Sequence, residues 1–62
     1  MCQSDVFMAG QGQEELLMRD VSSIKVEGGE VVLEGLMGEE KRVKGRIREM
    51  LLTEHKVLLE EA

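Results

Sequence analysis

An all-β fold is predicted for this 62-residue chain: a small, strongly bent antiparallel sheet or partly closed barrel of six to seven short strands, forming one domain over residues 1–62. Three observations lead there. Apolar and polar residues mostly alternate from Ser4 to Val26, the period of two that sends successive side chains to opposite faces of a sheet. A pair of glycines, Gly28-Gly29, sits between two β-rich runs. Turn-formers then recur along the chain, leaving no room for a long helix.

In order along the chain, Val6 and Met8 mark a first strand, Leu16 and Met18 a second, and Ile24 and Val26 a third. "AGQGQ" reads as the first connection and "RDVSS" as the next. "SIKV" and "VVLE" flank the two glycines, which tolerate the positive φ of a tight primed turn, so a hairpin is predicted there. "GLMGEE" is a looser connection into "KRVKGRI", and "EMLLTEHKVLLEE" repeats the pattern with "TEHK" at its tip. A competing helix over the last third draws on Val43, Ile47, Met50 and Leu51 at helical spacing. Gly45 inside that segment costs a helix about 1 kcal/mol relative to alanine, and Val57, Leu58 and Leu59 break the stripe, which favours strands. Gly35 and Gly45 are places where a sheet can bend or bulge.

A chain this short buries only about 60% of its unfolded surface, so a metal or a second copy is expected to add stability. The single cysteine cannot form an intramolecular disulfide and argues against a secreted framework. No apolar run spans a bilayer, and no secretory leader is legible; the expectation is a cytoplasmic protein. With a formal charge of −5 and Phe7 as the lone aromatic, nucleic acid is not the first partner suggested.

Cys2 is the residue with the sharpest chemistry. Thiolate is a soft donor suited to nickel, copper and zinc rather than magnesium or calcium. With Met1 removed, the new terminus offers an amine and a thiolate on one residue, and neighbouring backbone nitrogens can complete a plane suited to Ni(II) or Cu(II). The alternative is a bystander thiol in a terminal segment. His55, another metal donor by type, sits in "TEHK" and reads as an exposed turn residue. Met8 and Met18 read as core filler, and Met37 is a soft donor only in principle.

Five of the eight basic residues lie between Lys41 and Arg48, with no acid among them. On one strand, Arg42, Lys44, Arg46 and Arg48 would share a face that could follow a phosphate backbone, with Val43 and Ile47 pointing inward. The competing reading pairs them with Glu30, Glu34, Glu39, Glu40 or Glu49 across the sheet. No nucleophile–base arrangement is proposed, "GQG" lacks the rest of a phosphate-binding fingerprint, and Glu14-Glu15 and Glu60-Glu61 read as solubilising charge. The chain is not expected to be an enzyme.

The start "MCQSDV", the stretch "LLMRDVSSIKVEGGEVVLEGLMGEEKRVKGRI" and the final "HKVLLE" resemble the CooT-like small proteins, from Met1 to about Glu60. The resemblance implies a cytoplasmic homodimer with an SH3-like β fold. It further implies nickel held near the dimer interface by Cys2, for storage or delivery to a metalloenzyme such as carbon monoxide dehydrogenase, with zinc and copper as alternative metals. Many relatives carry an RNA-binding label, so a small RNA-binding module using the basic strand 41–48 is the second reading. A purely structural dimer supporting an enzyme complex is a third.

Overall fold

The computed structural model describes residues 3–61, and within them six strands form one mixed sheet. These are β1 (Ser4–Ala9), β2 (Glu14–Glu27), β3 (Glu30–Gly35), β4 (Glu40–Lys44), β5 (Arg46–Leu51) and β6 (Lys56–Glu60), with a single 3-10 turn at Leu52–Glu54. Their spatial order is β4-β3-β2-β1-β6-β5, so the sheet is bent but not closed, with β4 and β5 as its edges. The last third is strand, not an amphipathic helix.

Local turn chemistry places the β2–β3 hairpin where the sequence predicts it. Gly28 and Gly29 have φ of 50° and 82°, the left-handed pair that matches the twist of the flanking strands. Three expectations are corrected. The sheet is not wholly antiparallel, because β1 lies parallel to β6, with Asp5 opposite Lys56 and Ala9 opposite Glu60. "RDVSS" is not a connection: β2 runs unbroken for 14 residues and only bends there. Asp20 takes the left-handed conformation (φ 54°), and the pairing slips between Val21 and Ser23. The bend survives because the backbone groups of Asp20 are answered: its amide donates to Asp5 Oδ1 (3.2 Å) and its carbonyl accepts from the Leu36 amide (3.2 Å).

The third correction concerns the basic run. It does not form one strand but breaks at Gly45 into β4 and β5, which end up at opposite edges of the sheet. Gly45 is buried, has φ 157°, and donates its amide to the Gly29 carbonyl (3.1 Å). It is the corner at which the chain leaves one edge and starts the other.

One face of the curled sheet encloses the core: Val6, Val21, Val31, Leu33, Val57 and Leu59, with Met8, Leu17, Met18, Ile24, Val43 and Ile47 packed against it. Met8 and Met18 therefore fill the core's margin. The alternation fails at Leu16, which is left exposed while Leu17 and Met18 both reach the core. The cause is the slip in β1–β2 pairing, where Val6 faces Met18 but Phe7 faces Leu16. No described side-chain nitrogen or oxygen is buried without a partner.

Candidate functional site

Cys2, the metal ligand expected from the sequence, lies outside the described residues. The strand that follows it is described and firmly seated. β1 is central, flanked by β2 on one side and β6 on the other, and its first residues pair Ser4 with Val21 and Asp5 with Lys56. The Asp5 amide donates to the His55 carbonyl (2.9 Å) while its carboxylate accepts from the Asp20 amide. Two non-glycine residues in the left-handed conformation, Asp20 and His55, thus both grip Asp5 through their backbones. Nothing local in the sequence foretells this knot, since Asp5, Asp20 and His55 are far apart along the chain.

His55 closes the 3-10 turn by donating its amide to the Leu52 carbonyl (3.3 Å), and the residue is exposed, as the turn reading expects. Among the described residues, no group of three or more His, Cys, Asp or Glu is arranged to hold a metal ion. No described helix is long and apolar enough to cross a membrane.

The four basic residues of the second reading are divided. Arg42, on β4, is surrounded by carboxylates: Glu30 (3.5 Å), Glu40 (3.4 Å) and Glu27 (3.8 Å). Arg46, on β5, is bonded through Nε to Glu60. Lys44 and Arg48 make no ion pair among the described residues. The pairs are solvent-exposed and contribute little stability each, yet they partly neutralise two of the four charges and interrupt the stripe.

The outward face of the sheet carries a different group. Phe7 of β1 lies beneath Lys56 of β6, whose ammonium is 4.9 Å from the ring centroid and 2.7 Å from a carboxylate oxygen of Glu14 on β2. The hydrogen bond to Glu14 is the main cause of a Lys56 pKa raised above its ordinary 10.5; the charges of Glu14, Glu54 and Glu49 add to it and desolvation opposes it. A cationic group whose folded pKa is raised lends stability that is complete below its unfolded pKa and lost as pH rises through the folded one. Between about pH 9 and 12 the wild type is therefore expected to lose stability more steeply than a Lys56→Met variant. Urea unfolding at a series of pH values measures this, and parallel profiles would show the interaction to be immaterial.

Three comparisons bear on identity. The family model for the CO dehydrogenase accessory protein CooT matches residues 1–60. An uncharacterised protein of Archaeoglobus fulgidus is 44% identical over 43 residues, covering 69% of this chain and 96% of that protein. A crystal structure described as a candidate CooT from Carboxydothermus hydrogenoformans superposes with a TM-score of 0.92 at 28% identity, covering 98% of both chains.

Proposed function

The chain belongs to the CooT family of carbon monoxide dehydrogenase accessory proteins, and on that premise we propose that it is a homodimeric, cytoplasmic nickel-binding protein that holds its metal through Cys2 and serves a client metalloenzyme rather than catalysing a reaction. The family match carries this reading, because it runs over residues 1–60 and so takes in the lone cysteine at position 2. Donor chemistry supports it. A thiolate with adjacent amine or amide nitrogens suits Ni(II), and zinc and copper compete for the same set.

Position in the chain also supports it. In sequence, Gln3 alone separates Cys2 from β1, whose entry is held by Asp5, Asp20 and His55. The described side chains supply no ligand set of their own. A second copy related by a two-fold axis would double the donors, and metal shared between chains would stabilise the pair by mass action.

Titration of Ni(II) into the protein is expected to raise a thiolate-to-nickel charge-transfer absorption that Cys2→Ser abolishes. Native mass spectrometry of the loaded protein is expected to give a dimer with bound nickel and to report whether Met1 is retained. Equal nickel affinity in wild type and Cys2→Ser would remove Cys2 from the site, and a monomer carrying a full metal load would remove the shared arrangement.

A further inference from the structure

The turn joining β1 to β2 and the bulged part of β5 flank an open cleft of about 460 Å³, lined by Ala9, Gly10, Gly12, Gln13, Glu14 and Arg48. That volume falls in the range of about 300–1,000 Å³ usual for small-molecule sites. The pocket lies at the end of β1 opposite its Asp5 anchor.

Its charge is the informative feature. The chain as a whole is acidic, with a formal charge of −5. Two ionisable side chains line this pocket, and one of them, Glu14, is bonded to Lys56 at 2.7 Å. Arg48 makes no ion pair among the described residues. The next acids, Glu15 and Glu61, line an adjoining pocket that shares Ala9, Gly10 and Gln13 with this one and adds Met8 and Gln11. Glu14 and Glu15 separate because successive strand residues face opposite ways.

The turn adds donors. Gly10 donates its amide to the Gln13 carbonyl (2.7 Å), whereas the amides of Gly12 and Gln13, which line the pocket, have no acceptor among the described residues. Gly12 is left-handed (φ 76°), and a Cβ there would meet nothing within 4 Å. Glycine is needed at that position for its backbone angle and not for lack of room. Backbone N–H groups left without an acceptor in a turn are donors that an anion can take up, and a guanidinium is the side chain best shaped to hold a planar or tetrahedral oxyanion through two parallel hydrogen bonds.

We propose that this pocket binds the oxyanion group of a small molecule, a carboxylate or a phosphate, between the Arg48 guanidinium and the backbone of the Gly10–Gln13 turn. The test is a ¹H–¹⁵N NMR titration of the full chain with inorganic phosphate and, separately, with succinate, against sodium chloride at matched ionic strength. Saturable shifts are expected at the amides of Gly12 and Gln13 and at the Arg48 side chain, with affinity about tenfold weaker in Arg48→Gln.

Saturation by phosphate alone identifies a phosphoryl ligand, and by succinate alone a carboxylate; both outcomes support the site. Shifts that never saturate, that centre on Lys41 and Lys44, or that persist unchanged in Arg48→Gln overturn it. Should Arg48→Gln lose the dispersed spectrum of the folded protein, Arg48→Lys is read in its place. It retains the charge without the fork and is expected to bind more weakly than wild type; equal affinity overturns the proposal. A nickel-free sample gives the same result if the two sites are separate, so failure here leaves the metal reading untouched.

Discussion

Gly45→Ala is expected to lower the unfolding midpoint by more than about 10 °C. A Cβ at this position would overlap the Glu60 carbonyl oxygen and lie 3.2 Å from its carbon. Both are backbone atoms of β6, held by the ladder to β1 and β5, so no side chain can swing aside to make room. Alanine is also strained at φ 157°. Overpacking and backbone strain together cost about 3 kcal/mol or more.

Gly35→Ala is the comparison that separates crowding against backbone from crowding against a side chain. A Cβ at Gly35 would meet the Glu39 carboxylate (Oε1 at 2.7 Å), on an exposed residue that can rotate away. The loss is then mainly the bond that Glu39 accepts from the Met37 amide (3.0 Å). Thermal melts followed by circular dichroism rank the two variants. A Gly45→Ala protein as stable as Gly35→Ala would mean that the corner is not held rigidly against β6.

Leu33→Ala is expected to remove most of the remaining margin. Leu33 is fully buried, sits in the middle of β3 and belongs to the same core as Val6, Val57 and Leu59. Truncating such a leucine costs about 2–5 kcal/mol, as transfer free energy plus the cavity left behind. A domain of this length has roughly 3–9 kcal/mol in total. Leu33→Met, which keeps the volume, is expected to cost less than about 1.5 kcal/mol. Urea titration with a common slope distinguishes them; similar midpoints for the two variants would place Leu33 outside the cooperative core.

These two positions mark the difference between what local sequence reveals and what it hides. The hairpin at Gly28-Gly29 is legible because two adjacent left-handed residues are a local requirement, met by local chemistry. "VVLE" is legible as a strand, but Val31, Val32 and Leu33 are all buried, so period alone does not say which of them enter the core. Asp20 is not: "RDVSS" has the composition of a turn, and only its distant partners Asp5 and Leu36 make it a bend inside one long strand. Gly45 was visible as a place to bend, but nothing in "KRVKGRI" says that the chain there crosses from one edge of the sheet to the other. The basic stripe, reasonable on one continuous strand, dissolves for that reason.

The site divides in the same way. Cys2 is legible as chemistry because a lone thiol stands out in any composition. The supports around β1 are not legible, since Asp5, Asp20 and His55 meet only through the fold. Arg48 reads as one member of a charge run, and its place beside the Gly10–Gln13 turn depends on β5 and β1 both flanking β6.

The parallel pairing of β1 with β6 also governs when this molecule can come into being. Asp5 finds its partner in Lys56, far along the chain, and ladders between such remote segments form late and slowly. A ribosome must therefore have released β6 before the first strand can be flanked on both sides. Any property that needs that strand in place is absent from a nascent chain that stops short of Glu60.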